Sequence, residues 1–333
     1  MAFYLKEFET QAAYEAAQSG LILPNVSVTL DNNVVHYNPY VETRVVAKFN
    51  VTDTSNPTRI ASATTNFSSI EIDGVEQSSV TTGYTFGTTG EHTVKYTLTD
   101  PTSIGNIAFW NCRSLTSIDI PDGVTSIATA AFRGCSGLTS IDIPDSVTSI
   151  GSYAFRECSS LTSIVIPSGV TSIGESAFNS CSGLTTVNIP SGVTSIGVEA
   201  FMYCSSLTSI DIPDSVTSIG NDAFDYCTSL TSCTIGSGVT SIGNLAFMYC
   251  SGLTSMVIPN SVTNIGNQAF WGCASLTSII SNATTAPTIQ SNSFYGVKTG
   301  GTLTVPIGST GYDVWMGTSD YYLGKYNWTK VEQ

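Results

Sequence analysis

Apolar residues recur at a spacing of 23 residues across the middle of the chain, from about residue 101 to residue 280. In one copy, residues 143–166, polar residues and glycine separate most of the apolar positions, which are Val147, Ile150, Ala154, Phe155, Cys158, Leu161, Ile164 and Ile166. A unit this short cannot bury its apolar side chains by itself, so neighbouring copies must stack. The pattern therefore predicts a right-handed solenoid of about eight coils, roughly 40 Å long if adjacent coils pair strand to strand.

Each copy predicts one short strand and a return loop. Pro144 and its equivalents follow the strand, because proline has no amide hydrogen to donate to a ladder. Gly151 and its equivalents are expected where the chain turns sharply and a residue that tolerates positive φ is favoured.

The two ends of the chain differ from this array. Residues 1–20 predict a helical peptide that begins near Thr10 and stops at Gly20. Residues 21–100 predict short strands and turns, which indicate a small β-sandwich-like attachment domain. Its expected strands are Val26–Leu30, Thr43–Val51, Ser69–Ile72 and Glu91–Leu98, with a hairpin turn at Asp73-Gly74. Residues 281–333 are predicted to cap the last open coil of the array, which spans residues 101–280.

Eight of the nine cysteines follow the repeat. They are Cys112, Cys135, Cys158, Cys181, Cys204, Cys227, Cys250 and Cys273. Equivalent side chains in a stack point the same way, so these thiols are predicted to be reduced, buried and to act as small apolar fillers. One thiol per coil cannot converge on a single metal ion. Cys233 occupies the place of Ile210 and Met256 in adjacent units and is also predicted to lie in the core.

Composition limits the classes of partner. The chain has 333 residues and 41% hydrophobic content, but only 11% charged residues and a formal net charge of −14. Nucleic-acid binding draws on clustered Lys and Arg, and no basic patch is present. The sequence shows neither an apolar run long enough to insert in a membrane nor a secretory signal peptide, so membrane insertion and signal-dependent export are not expected.

The search for reaction chemistry predicts no enzyme, no cofactor and no metal site. His36 and His92 lack a neighbouring nucleophile motif or metal-ligand spacing and are interpreted as structural. The acids Asp119, Asp142 and Asp211 recur at one repeat position, so stacked carboxylates could form a calcium site. Aspartate is equally an ordinary turn residue, and the turn interpretation is favoured.

Variation among the copies shows which positions the fold leaves free. The positions after each Ala-Phe pair vary most, and they carry aromatic and methionine side chains in the later copies. The candidate binding residues are Tyr203, Tyr226, Tyr249, Trp271, Met202 and Met248, with Trp110 at the far end. Rings in successive coils would form a row, and protein and sugar interfaces favour such amphipathic rings. The alternative is that the rings only shelter the loops beneath them.

The repeated motif Ile-Pro-x-x-Val-Thr-Ser-Ile-Gly-x-x-Ala-Phe-x-x-Cys-x-x-Leu-Thr-x-Ile resembles the BspA-like leucine-rich repeat family. This resemblance covers about residues 101–280 and implies a β-rich leucine-rich repeat solenoid of the α/β class, together with surface adhesion or interaction. The start of the chain is similar to N-terminal regions of structural or fibre proteins of gut bacteriophages and prophages. That similarity lies in Gln11–Ala17, Leu23–Ser27 and Val35–Pro39.

Together these resemblances imply a binding protein without catalysis. The first hypothesis is a virion protein, a head or tail fibre component whose repeats recognise a host surface protein or glycan and whose N-terminal region contacts other virion proteins. The alternative is a bacterial cell-surface leucine-rich repeat adhesin. The identity of the ligand and the oligomeric state, a homo-oligomer included, are left open.

Overall fold

The computed structural model describes residues 26–31, 34–39, 44–290 and 292–333. The helical peptide predicted over residues 1–20 lies outside the described residues. The first two strands, β1 and β2, form an antiparallel pair by themselves. The N-terminal strands are β1 (Val26–Asp31), β2 (Val34–Pro39), β3 (Arg44–Val51), β4 (Thr58–Arg59), β5 (Phe67–Ile72), β6 (Val75–Glu76), β7 (Gly83–Tyr84) and β8 (Gly90–Leu98).

The four strands predicted before residue 100 are confirmed as β1, β3, β5 and β8. The predicted hairpin is confirmed as well, since β5 pairs with β6 across Asp73 and Gly74. Both turn residues have positive φ, of 48° and 84°, as a two-residue hairpin with the right twist requires.

The array forms seventeen short strands that alternate between two sides of the solenoid. They are β9 (Ser103–Ile104), β10 (Leu115–Asp119), β11 (Ser126–Ile127), β12 (Ser140–Asp142), β13 (Ser149–Ile150), β14 (Ser163–Val165), β15 (Ser172–Ile173), β16 (Thr186–Asn188), β17 (Ser195–Ile196), β18 (Ser209–Ile212), β19 (Ser218–Ile219), β20 (Ser232–Ile235), β21 (Ser241–Ile242), β22 (Ser255–Ile258), β23 (Asn264–Ile265), β24 (Ser278–Ser281) and β25 (Thr288–Ile289). Every strand pair formed between coils is parallel and in register.

Each coil thus contributes two strands where the sequence predicts one. The even-numbered strands form one side and the odd-numbered strands a second, as in the pairing of Ser126 with Ser149. A third side, between the two, consists of turns. The predicted β-solenoid is confirmed, and the return path contains no α-helix in the part of the chain that the structure describes.

The core is a set of side-chain columns that run along the solenoid. The phenylalanine of each coil stacks on the next with ring centroids 5.3 to 5.7 Å apart and ring planes within 10° of parallel. The column includes Phe294, so the coil pattern continues one coil beyond residue 280. Its members, all buried, are Phe109, Phe132, Phe155, Phe178, Phe201, Phe224, Phe247, Phe270 and Phe294.

The glycine row has a different cause from the one predicted. Gly151 and its equivalents do not have positive φ. A Cβ atom at Gly220 would lie 2.5 Å from the carbonyl oxygen of Gly197 in the preceding coil, and one at Gly243 would lie 2.6 Å from the backbone of Gly220. Glycine is therefore required because adjacent coils approach closely here, and the prediction of a left-handed turn was wrong.

The first coil continues directly into the N-terminal sheet. Strand β10 pairs with β12 of the array on one side and antiparallel with β3 on the other. The resulting sheet has the order β12-β10-β3-β8-β5-β6. Phe67 and Tyr96 pack against Phe109, the first ring of the core column. The domain boundary at residue 100 stays a prediction.

The C-terminal residues cover the other end of the column. Strands β26 (Thr302–Val305) and β27 (Thr329–Glu332) extend the sheet beyond β24. The buried ring of Trp315 lies 5.3 Å from that of Phe294, and its indole N–H donates to the carbonyl of Pro287. Short 3-10 turns occur at Thr64–Asn66 and Leu323–Tyr326.

Candidate binding face

The candidate residues lie on the third side of the solenoid, which we name the turn face. It consists of the segments that follow each glycine of the close-approach row and end at each cysteine. Two columns run along it. The first column holds the residue directly after each core phenylalanine: Trp110, Arg133, Arg156, Asn179, Met202, Asp225, Met248, Trp271 and Tyr295. The second column holds the next residue: Asn111, Gly134, Glu157, Ser180, Tyr203, Tyr226, Tyr249, Gly272 and Gly296.

Every residue of the second column has a left-handed backbone. Its φ values run from 52° at Tyr249 to 74° at Gly134. Glycine adopts this conformation freely, whereas other L-residues are disfavoured there by about 1 kcal/mol or more. The backbone is fixed by amide hydrogen bonds to the next coil, such as that from Tyr203 N–H to the carbonyl of Asp225 at 2.8 Å. The three tyrosines therefore occupy positions where glycine would be less strained.

The tyrosines of the second column form a continuous row. The ring of Tyr226 lies 5.0 Å from that of Tyr203 and 4.6 Å from that of Tyr249. Beyond Tyr249 the column holds Gly272, where a Cβ atom would come within 2.5 Å of the Tyr249 ring. Each tyrosine ring leans toward the following coil, and Gly272, which has no side chain, leaves room for the ring of Tyr249.

The other candidate residues lie in the first column beside this row. Trp271 is half-buried and packs against Tyr295, with ring centroids 4.5 Å apart, and has no ring pairing with the tyrosine row. Met202 and Met248 are half-buried. Tyr203 is the most exposed member of the set at 43%, and Trp110, six coils before Met248, is 39% exposed.

Asp225 separates the two methionines in the first column. Its side chain is only 3% exposed, and its Oδ1 atom makes no hydrogen bond. Burial, and after it the charge of Asp222, raises the pKa of Asp225 to about 7. Burial and then Glu199 likewise raise the pKa of Asp222. The coil behind the tyrosine row thus contains two carboxyl groups that hold their protons to a higher pH than an exposed carboxyl group does.

A shallow groove of about 530 Å³ runs along the turn face and ends at Tyr203. It crosses five coils, because the second column holds small or polar residues before this tyrosine. Its opposite wall holds the residue after each cysteine, which is Arg113 in the first coil and serine in the next four. The serines are Ser136, Ser159, Ser182 and Ser205.

The groove is lined mostly by uncharged residues. Arg113 and Glu157 are the charged residues of its lining. The Glu157 carboxylate also accepts from Arg133 at 3.4 Å and from Arg156 at 3.2 Å. The groove therefore presents mainly hydroxyl and amide groups and an aromatic ring, and its one carboxylate is already paired.

The repeats match a known family. Two overlapping stretches, residues 102–231 and 194–312, match the BspA type leucine-rich repeat region, in six copies. The chain belongs to the BspA-type leucine-rich repeat family. The resemblance of the repeat motif to this family is confirmed, and the match extends past residue 280, in agreement with the additional coil around Phe294.

Solved leucine-rich repeat structures are similar to this BspA-type chain. A leucine-rich repeat protein of T. pallidum is 33% identical, with 46% of this chain and 71% of that chain covered and a TM-score of 0.43. A leucine rich cell surface protein from Faecalibacterium prausnitzii is 29% identical, with 69% and 76% covered and a TM-score of 0.41. A leucine-rich repeat protein from Eubacterium ventriosum is 22% identical, with 70% of both chains covered and a TM-score of 0.41. None of the curated proteins compared with the chain matches it.

The acidic positions of this BspA-type array lie in strands as well as in turns, and the turn interpretation was wrong for Asp119, Asp142 and Asp211, which lie in β10, β12 and β18. Asp119 and Asp142 are exposed neighbours in paired strands. Asp214 accepts hydrogen bonds from the backbone and the hydroxyl of Ser237 in the next coil, and these bonds lower its pKa. No group of three or more His, Cys, Asp or Glu side chains placed to hold a metal ion occurs within residues 44–290 and 292–333.

His92 is held by neighbours in the N-terminal sheet. Its Nδ1 atom lies 2.7 Å from Asp73 Oδ2 and its Nε2 atom 2.9 Å from the carbonyl oxygen of Thr88. Burial opposes protonation, but these two partners outweigh it and raise the pKa of His92. The ring thus fixes the hairpin turn at Asp73. His36 lies in β2, opposite Thr29 of β1.

Sequence reasoning missed four features of the turn face: the groove, the serine wall, Asp225 and Tyr295. The groove arises from small side chains, which carry no hydrophobic signal. Serine follows five of the eight repeat cysteines, and that repetition could have marked a wall. Tyr295 was missed because the last coil is one residue longer than the 23-residue repeat.

Proposed function

We propose that this protein is a non-catalytic binding protein of a bacterial cell surface, and that the turn face contacts its partner. Membership of the BspA-type family supports a binding scaffold, since solenoids of this kind offer long surfaces for recognition. Among the described residues, no helix has the length and apolar character needed to cross a membrane.

The tyrosine row is the observation that carries the binding proposal. Tyr203, Tyr226 and Tyr249 remain partly or largely open to solvent in a left-handed backbone that glycine would satisfy better. Exposed rings gain little from the core, so their stabilising value to the fold is small. Rigid tyrosines are frequent anchors of interfaces, and the fold does not require three in a row at positions where the other coils carry small or polar residues.

The virion hypothesis stays a prediction. It depends on N-terminal motifs of which Gln11–Ala17 lies outside the described residues and Leu23–Ser27 lies largely so. The motif Val35–Pro39 falls in β2, an ordinary antiparallel strand that does not distinguish a fibre protein. The family match covers residues 102–312 and none of the N-terminal region, and it favours the cell-surface alternative.

Localisation can be tested on the source bacterium. Intact cells are treated with protease or labelled with an antibody against the array, and particles are separately purified from the culture on a density gradient. The proposal expects protease-sensitive protein on intact cells and none enriched in particles. Protein that co-sediments with particles and is absent from the cell surface would establish the virion hypothesis instead.

Binding can be tested with the purified full chain on mucin-coated plates and on cultured epithelial cells. We expect saturable binding that falls at least tenfold in the triple variant Tyr203→Ala, Tyr226→Ala, Tyr249→Ala, because truncation of interface aromatics commonly weakens binding by about 2 kcal/mol. The matched control is Trp110→Ala, which removes an exposed ring at the far end. If the triple variant keeps its melting temperature and binds like the unchanged chain, the tyrosine row is not the recognition surface.

A further inference from the structure

The groove and the tyrosine row lie on one line along the turn face, and Tyr203 is where they meet. Before it, the second column holds Asn111, Gly134, Glu157 and Ser180, which leave about 530 Å³ open. After it, stacked tyrosines fill the same space. The groove thus has a defined length, and the ring of Tyr203 closes one end of it.

We propose that this groove binds a linear, uncharged oligosaccharide laid along the solenoid axis, with one sugar per coil and Tyr203 stacked against the sugar at the end. The inference rests on the proposed binding function and names its ligand class. It goes further than the tyrosine row, because four of the five coils involved carry no tyrosine in the second column.

The serine wall supplies the polar contacts. The hydroxyls of Ser136, Ser159, Ser182 and Ser205 make no hydrogen bond to another described residue, although all four line the groove. Each can donate one hydrogen bond and accept others. A row of such groups, one per coil, matches the hydroxyls that a sugar chain presents at regular intervals.

The backbone of the groove is unsuited to an extended peptide. A peptide that adds to a sheet needs a strand edge with free amide and carbonyl groups. The amides of the second column are already donated to the following coil, as from Gly134 to Arg156 at 2.7 Å and from Ser180 to Met202 at 2.7 Å. The groups of the groove that remain free to contact a ligand are the side-chain hydroxyls and the ring of Tyr203.

Spacing and charge agree with a neutral sugar chain. Coils paired strand to strand are about 4.8 Å apart, which is close to the length of one pyranose unit in an extended chain. Five coils therefore correspond to about five sugars. Eight of the ten lining residues are uncharged, and the one lining carboxylate, Glu157, is already paired with Arg133 and Arg156, so the groove offers a ligand mainly neutral hydroxyl, amide and ring groups.

The test is calorimetric titration of the full chain with four linear pentasaccharides: cellopentaose, chitopentaose, maltopentaose and laminaripentaose. At least one is expected to bind, with affinity that rises from its disaccharide to its pentasaccharide and does not rise further with the heptasaccharide. Tyr203→Ala should weaken that binding tenfold or more. Ser159→Trp, which places a large ring in the middle of the groove from an exposed position, should abolish it.

The matched control is Tyr321→Ala, which removes an exposed ring in the C-terminal segment, outside the groove, and should leave the sugar affinity within twofold. The proposal is wrong if none of the four sugars binds, or if Tyr203→Ala and Ser159→Trp bind as the unchanged chain does. It is also wrong if peptides from a display library bind and are lost in Ser159→Trp while no sugar binds. If the chain adheres to mucin or cells but binds no sugar, the sugar ligand is wrong and the proposed binding function stands. If the chain shows neither adhesion nor sugar binding, both proposals are wrong.

Discussion

Individual residues of the turn face depart from what the coil alone requires, and Asp225 departs furthest. Its neighbours in the first column are Met202 and Met248, yet it buries a carboxyl group whose Oδ1 atom has no partner. An unpaired buried carboxylate is destabilising by several kcal/mol, so the group retains its proton to a higher pH instead. Asp225 therefore makes the stability of this part of the solenoid sensitive to pH.

The variant Asp225→Met should remove that sensitivity. The folded-state pKa is about 7, above the ordinary value of 3.8, so between pH 4 and pH 7 the folded chain holds a proton that the unfolded chain has released. Stability is then greatest at the acidic end and is lost as pH rises through 7. We expect the variant to raise the free energy of unfolding by about 1–3 kcal/mol at pH 8 and by less at pH 4.5, as measured by urea denaturation.

A carboxylate with the opposite shift gives the control. Hydrogen bonds from Ser237 lower the pKa of Asp214, which is exposed. The contribution of these bonds to folding stability is therefore present above the ordinary pKa of an aspartate and is lost only in acid. Asp214→Asn should therefore leave the difference in the free energy of unfolding between pH 5 and pH 8 unaltered. An unchanged pH dependence in Asp225→Met would mean that Asp225 is already ionised in the folded protein at pH 5.

The cysteine column permits a second test at the residue scale. All eight repeat cysteines are fully buried, as predicted, and seven of them donate to the carbonyl of a phenylalanine in the preceding coil at 3.0 to 3.2 Å. Burial raises the pKa of the Cys181 thiol to about 12, which suppresses the reactive thiolate. Under native conditions at pH 8, iodoacetamide should label few of them, whereas all nine cysteines should react in urea.

The thiol on the strand side provides an internal comparison. Cys233 is 8% exposed, so mass spectrometry should find it labelled first. Rapid native labelling of most repeat cysteines would show that the coils open far more often than their packing suggests.

At the scale of elements, the sequence pattern predicted the long strands and failed at the short ones. Strands such as β3 and β8 extend over eight or nine residues and show the alternation of a half-buried sheet. The odd-numbered array strands are two residues long, and a period cannot be read from two residues. The tyrosine row could be predicted because the copies could be compared with each other, but the groove could not, since it consists of missing side-chain volume.

The cap is the element whose removal should matter most. Cutting after Ile280 would remove Phe294 from its contact with Phe270 and would leave β24 without its partner β26. An open coil exposes core surface and a strand edge, so we expect aggregation or cooperative loss of β structure by circular dichroism.

A shorter deletion is the matched control. Removing residues 329–333 takes away β27 but leaves Trp315 packed on Phe294. This variant should stay soluble and lose only a small part of its stability. A truncation at Ile280 that is as soluble and stable as the control would show that residues 281–333 are not a cap.

The whole molecule is a stack in which each coil contacts mainly its neighbours, so a coil can be removed without disturbing the pattern. Joining Cys158 to Ser182, by deleting residues 159–181, brings together positions that already occur in sequence in every coil. The core column loses one phenylalanine and keeps its register. We expect a folded chain with a cooperative transition and a denaturant m value lower by about a tenth, because stability in a solenoid is a sum over units and their interfaces.

The same deletion ties the length of the solenoid to recognition. It shortens the groove by one coil while Tyr203 stays at its end, so the oligosaccharide length that gives full affinity should fall from five sugars to four. Deleting residues 228–250, a coil of equal length outside the groove, should lower stability similarly and leave the five-sugar optimum in place. The measurement is the same calorimetric length series on both deletions. If both deletions shift the optimal sugar length equally, or neither shifts it, then each sugar does not occupy one coil. Only a ligand that lies along the solenoid axis would respond differently to the loss of a coil inside the groove and of a coil outside it.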